Sequence, residues 1–212
     1  MSAPRGVATP IVYIVDDDVS VRESLEALID HEGWRPLAFA SAGEFLTVVR
    51  RPVASCLVLD VGLPDLDGLE LQKRLGGGSE LPIIFVTGRG DIPMTVRAMK
   101  AGAVEFLTKP FEPDVLVGAI RNALERSRIS LAQDASLQTL RAHYASLSPR
   151  EQEVMALVVL GKLNKQVAAA LGLSEITVKG HRGRMMRKMG AQSFAELVNM
   201  ADRLGLETAG KS

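Results

Sequence analysis

IVYIVDDDVS, residues 11–20, sets five apolar-leaning residues directly against three aspartates. Short apolar runs recur at WRPLAFA (34–40), SCLVLD (55–60), PIIFVT (82–87) and VEFLT (104–108). Three of the five are too continuously apolar to face water on either side, as in parallel sheets covered on both faces. Between them, VRESLEALIDHEG (21–33), AGEFLTVV (42–49), LELQKRLGG (69–77) and PMTVRAMKAGA (93–103) show 3.6-residue spacing with glycines near their ends. Five βα units of this kind predict an α/β domain with a parallel, doubly wound sheet. Right-handed crossovers follow, and any site is expected at the carboxyl ends of the strands.

That rule gives the aspartates a purpose. Asp16, Asp17 and Asp18 follow the first strand, Asp60 ends the third, Thr87 ends the fourth and Lys109 follows the fifth, so all converge on one edge. Carboxylates held this close repel, and they need a raised pKa, a cation or an ammonium to coexist. Hard oxygen ligands suit Mg²⁺, and Lys109 can act as a point charge for a phosphate. Asp18 is expected to cap the helix that includes Val21 to Ile29. The plain alternative for the whole set is helix caps and turn punctuation, with Pro64, Gly68 and Pro110 among the turn residues.

The chain has 212 residues, 47% hydrophobic and 24% charged, within the ordinary range for a globular protein of one or two domains. A single cysteine, Cys56, gives neither a disulfide framework nor a CxxC metal pattern, which fits a reducing cytoplasm. His31, His143 and Cys56 are too scattered for zinc. No apolar stretch approaches the roughly 20 residues of a membrane span, and MSAPRGVATP lacks a signal-peptide core. The net charge of zero is a sum of opposites. Residues 1–127 hold 13 Lys+Arg against 18 Asp+Glu, net −5, and residues 128–212 hold 12 against 7, net +5. Such asymmetry suggests a basic nucleic-acid module joined to an acidic partner, chance composition being the alternative.

The set VDDD, LVLDVGLPDLDG and FVTGRGDIPMTVRAMKAGAVEFLTKPF resembles the receiver domain of bacterial response regulators, of the FixJ/NarL type, over residues 10–125, after an N-terminal tail of residues 1–9. The resemblance implies a flavodoxin-like sheet of order 2-1-3-4-5 and Asp60 as the residue phosphorylated by a sensor histidine kinase. It implies Mg²⁺ held by Asp60, by Asp17 directly, by Asp16 through water and by the Gly62 carbonyl. Thr87 and Lys109 would hold phosphate oxygens, and Phe106 would move with Thr87, reporting by burial because it has no hydroxyl. Pro110 matches the family's cis-proline, which would aim Lys109 into the pocket. Pairing into a homodimer on phosphorylation is expected on the helix from Met94 to Ala101 and the strand through Phe106.

From Val115 the chain becomes charged and helix-favouring, with Leu116, Ile120, Leu124 and Leu131 in helical spacing. A final receiver helix running into a helical linker over 126–144 is expected; a coiled coil needs more sustained heptads.

The second half opens on SPRE, where Ser148, Pro149 and Glu151 make a capping box with proline at the first helical position. EQEVMALVVLGK, NKQVAAALG, a GLS turn and SEITVKGHRGRMMRKMG then read as a small all-α helix-turn-helix domain over 145–212. Between Lys162 and Gly190 seven Lys/Arg face one acidic residue, Glu175, a balance that favours phosphate contact. Lys179, Arg182 and Lys188 are expected on one outward side, and Ile176, Val178, Met185 and Met189 in the core. Gly180 and Gly183 disfavour a helix, and either permit close approach to the DNA backbone or to a thymine methyl, or reflect tolerated drift on an exposed face. Residues 145–206 resemble the LuxR-type DNA-binding domain, with SFAELVNMADRL matching its dimerisation helix. Thr177, Lys179, Gly180 and Arg182 are expected at bases or nearby phosphates, with Lys165, His181, Arg184 and Lys188 mainly at the DNA backbone.

Together these readings predict a cytoplasmic two-component response regulator that binds double-stranded DNA, acts as a transcriptional activator with RNA polymerase, and makes no membrane contact. The receiver assists its own phosphoryl transfer but has no separate substrate, so it is not read as an enzyme. The rivals are a phosphotransferase or phosphatase, disfavoured by the basic half and the lack of a substrate-pocket signal, an RNA-binding antiterminator, and a phosphorylation-independent regulator.

Overall fold

The computed structural model describes residues 8–76, 81–88 and 90–207. Residues 1–7 of the expected tail and Gly77, at the end of the third expected helix, lie outside the described residues. The chain divides into two compact units, Met1–Ala132 and Gln133–Ser212.

In the first unit, strands β1 (Ile11–Val15), β2 (Arg35–Phe39), β3 (Ser55–Asp60), β4 (Ile83–Thr87) and β5 (Glu105–Thr108) alternate with helices α1 (Val19–His31), α2 (Ala42–Leu46), α3 (Gly68–Arg74) and α4 (Ile92–Lys100). α5 follows as one helix, Pro113–Ala145. All strand pairs are parallel in the order β2-β1-β3-β4-β5, a flavodoxin-like sheet. The two-residue period of a strand sends alternate side chains to opposite faces. Tyr13, Val15, Leu57, Leu59, Ile83 and Phe85 enter one core with Phe45 of α2, Leu71 of α3 and Ala98 of α4. Val12, Ile14, Cys56, Val58, Ile84 and Val86 enter the other, against Leu25 and Ile29 of α1 and Leu116, Ile120 and Leu124 of α5. Cys56 is wholly buried, which pushes its thiol pKa up and keeps it protonated.

β3, which carries Asp60, is fixed at its start by α5. The buried Ser127 hydroxyl accepts the Ser55 N–H at 3.0 Å. α2 stops at Leu46, three residues short of the helix expected to Val49, because Thr47, Val48 and Val49 are β-branched and poor helix formers.

The second unit holds α6 (Pro149–Val159), α7 (Asn164–Leu171), α8 (Glu175–Met189) and α9 (Phe194–Arg203). The expected capping box is present: Ser148 Oγ accepts Glu151 N–H, and Glu151 Oε2 accepts Ser148 N–H. The turn between α7 and α8 uses Gly172 at φ 66, the left-handed region where glycine alone pays no Cβ penalty. Val154, Met155, Val158, Val167, Val178, Met185, Met189 and Leu197 form one core. Ile176 does not join it. At 84% exposure it overturns the expectation of a core residue, because it stands two positions, or about 200° of helix, from the buried Val178. No described helix is long and apolar enough to cross a membrane.

Candidate functional site

β1 and β3 lie side by side in register, Val15 opposite Leu59, so the residues just past them, Asp16 and Asp60, meet at the carboxyl edge. One carboxylate oxygen from each of Asp16, Asp17 and Asp60 lies within 4.8 Å of the other two. Lys109 arrives from the end of β5, where its N–H donates to Thr87 O at 2.8 Å and the following Pro110 is joined by a cis peptide bond. Its ammonium donates to Asp16 Oδ2 at 2.6 Å and to Asp60 Oδ2 at 2.9 Å. The cluster therefore contains a built-in cation that offsets part of its negative charge. Asp16 is 2% exposed, and burial raises its carboxyl pKa against the lowering effect of Lys109. Burial also works against the Lys109 ammonium, but its bonds to Asp16 and Asp60 outweigh it and hold the pKa above the ordinary lysine value.

The remaining lone pairs are also directed. Asp60 Oδ1 accepts the Gly62 N–H at 3.0 Å, and Asp16 Oδ1 accepts the Asp18 N–H at 2.9 Å. Asp18 caps α1, accepting the Ser20 hydroxyl and the Ser20 and Val21 N–H groups, and these bonds lower its pKa. Thr87 is 3% exposed at the end of β4, and the Phe106 ring packs on Phe85 with centroids 5.9 Å apart. A Cβ on Gly90 would come within 3.0 Å of both Phe106 Cε1 and Thr108 Cγ2, so the loop after β4 lies directly on these side chains.

Three contributors to this geometry are not evident from the sequence as parts of the site, and Gly68 reads there only as turn punctuation. Gly68 opens α3 so close to β3 that a Cβ there would stand 2.6 Å from the Asp60 carbonyl oxygen. Asp65 accepts the N–H groups of Gly43 and Ala42 and so ties the loop after β3 to α2; these bonds lower its pKa. Buried Gln72 donates to the Ala98 and Ala101 carbonyls at the end of α4. The glycine in LPDLDG was visible, but its contact partner lies in the strand, and sequence spacing does not show a close approach.

On the helix-turn-helix, Lys165, Lys179 and Gly180 are exposed, and the two lysines pair with nothing among the described residues. Thr177 is exposed and shares a hydrogen bond with Ser174 Oγ at 2.8 Å. Arg182 does not share one outward side with Lys179 and Lys188. It donates to Asn164 Oδ1 of α7 at 2.7 Å, whereas Lys188 donates to Glu151 Oε2 of α6 and to the Ser146 carbonyl. Arg184 donates to Glu151 Oε1 and to His181 Nδ1. Glu151 is 3% exposed, and the bonds from Lys188, then Ser148 N–H and Arg184, bring its carboxyl pKa down to about 2.

An aspartate–lysine pocket on a 2-1-3-4-5 parallel sheet, followed in the same chain by a helix-turn-helix module, defines a receiver coupled to a DNA-binding output. Residues 12–121 match the response regulator receiver domain, and residues 145–201 match the LuxR family of bacterial regulatory proteins. The chain belongs to the response regulators that combine these two domains. It is similar to Nodulation protein W of Bradyrhizobium diazoefficiens, 51% identical over 197 residues, covering 92% of this chain and 87% of the relative. It is 41% identical over 196 residues to the transcriptional regulatory protein FixJ of the same organism, covering 92% of this chain and 96% of FixJ. The solved structure of the response regulator StyR superposes with a TM-score of 0.80 at 45% identity, covering 92% of this chain and all of StyR (100%).

Proposed function

We propose that the chain is a cytoplasmic transcriptional activator switched on by phosphorylation of Asp60, with residues 10–125 as receiver, 126–144 as linker and 145–212 as DNA-binding domain. The observation that carries this reading is Lys109 bridging Asp16 and Asp60 at 2.6 and 2.9 Å beside the buried Thr87. A carboxylate held by the Gly62 N–H and flanked by an ammonium is positioned for phosphoryl transfer, a reaction that depends mainly on placement and charge. An Asp60 oxygen forms the new O–P bond as the P–N bond of a phosphohistidine on a sensor kinase breaks, and the imidazole nitrogen leaves.

The donor set is all hard oxygen and suits Mg²⁺, which Asp17, Asp60 and the Gly62 carbonyl would hold directly and Asp16 through water. When bound, the ion would neutralise charge on the attacking and transferred oxygens. Lys109 then holds a phosphate oxygen, Thr87 donates its hydroxyl to another, and Phe106 follows Thr87 inward. Phosphorylated receivers pair on α4 and β5, and the paired LuxR-type domains bind duplex DNA and recruit RNA polymerase. The test is intact-mass analysis after incubation with Mg²⁺ and acetyl phosphate. One alkali-labile phosphoryl group mapped to Asp60 is expected in the wild type and none in Asp60→Asn; an unmodified wild type refutes the proposal.

A further inference from the structure

α8 carries residues that nothing among the described residues requires. Its buried face is Val178, Met185 and Met189. Ile176, Gly180, Gly183 and Arg187, at i, i+4, i+7 and i+11, therefore line the opposite face. Ile176 is 84% exposed, although a β-branched apolar side chain there gains no burial and favours a helix less than alanine or lysine does. The glycines are equally unexplained from within. Neither has a positive φ. A Cβ on Gly183 would meet nothing within 4 Å, and one on Gly180 would meet only Arg184 Nη1 at an ordinary 3.6 Å. Three of the long cations nearby are committed elsewhere, Arg182 to Asn164 and Arg184 and Lys188 to Glu151.

We propose that this stripe is the surface α8 presents to the bases, with Ile176 as a specificity-determining residue that reads a thymine C5-methyl. That methyl is the apolar mark among the base edges of the major groove, so it is the partner an exposed isoleucine can recognise. The glycines let the helix axis approach the groove floor where a side chain would collide, and free Lys179 flanks the stripe for a guanine edge or a phosphate. The proposal rests on DNA binding by the C-terminal domain.

The test selects duplexes from a random-sequence pool with the full-length chain, in the presence of Mg²⁺ and acetyl phosphate. Each thymine of the enriched duplex is then replaced by deoxyuridine, which removes only the methyl. At a thymine in each half-site, the wild type is expected to lose affinity about fourfold, the worth of one buried methyl. Ile176→Ala should bind the thymine duplex more weakly and be indifferent to the replacement, while Ile176→Val retains the sensitivity. Gly183→Ala should melt higher than wild type yet bind the same duplex less tightly. A deoxyuridine profile unchanged in Ile176→Ala, or Gly183→Ala binding like wild type, overturns the proposal while leaving DNA binding intact. No enriched duplex overturns both.

Discussion

Lys188 Nζ lies 2.7 Å from Oε2 of Glu151, a nearly buried carboxylate that also receives Arg184 Nε at 3.2 Å. One acidic side chain on α6 thus orders two cations of the recognition helix while closing its own capping box. Lys188 and Arg184 keep 40% and 48% of their side-chain surface in solvent, so screening moderates the pairs. Glu151→Gln is expected to lower the stability of the C-terminal domain by about 1–3 kcal/mol, the range for a lost buried hydrogen-bond partner.

The same group predicts an acid limit. A carboxyl at about 2 when folded and 4.5 when unfolded contributes stability that is fully present above about 4.5 and is lost as pH falls toward 2. Thermal unfolding of the second unit, followed from pH 6 to 2 on the order of one-unit steps, should show this decline in the wild type and a flatter profile in Glu151→Gln.

Lys109→Ala removes the cation from a buried Asp16 and from Asp60 together. Breaking a buried pair costs about 3 kcal/mol, so the first unit should melt well below wild type without added metal. Mg²⁺ binding only the folded state restores stability by mass action, and the rescue should be larger in Lys109→Ala than in wild type. Equal melting temperatures in metal-free buffer would contradict the role given to Lys109.

Gly68→Ala forces a methyl against the Asp60 carbonyl, 2.6 Å away, with backbone on both sides of the clash. Overpacking of this kind costs about 1–3 kcal/mol. Denaturant unfolding should show that loss, accompanied by slower phosphorylation by acetyl phosphate because Asp60 itself must shift.

Ser127→Ala leaves the Ser55 N–H buried without its acceptor, for a loss of about 1–3 kcal/mol. Hydrogen exchange at Ser55 should quicken in the variant, while the second unit exchanges as in wild type.

Much of this was legible in the sequence. β1 and β3 have the expected limits because each apolar run meets a turn signal at both ends, and the five strands fixed the sheet edge on which the aspartates, Thr87 and Lys109 meet. What stayed hidden depended on distant pairing or on helical phase. Glu151 was fully explained by its capping box, and its partners Arg184 and Lys188 lie 33 and 37 residues away. Ile176 looked like core by composition, but its phase relative to Val178 sends it outward. The same phase separates Arg182 from Lys188, two basic residues that charge counting treated as one face, and puts Arg187 on the outward stripe instead.

β3 is tethered at both ends, by the Ser127 hydroxyl at Ser55 and by the backbone of Gly68 against Asp60. Such a strand is an anvil: it yields little to a blow landing on its tip. Displacement on phosphorylation is therefore expected in β4 and β5 instead, where Gly90 rests on the Phe106 and Thr108 side chains.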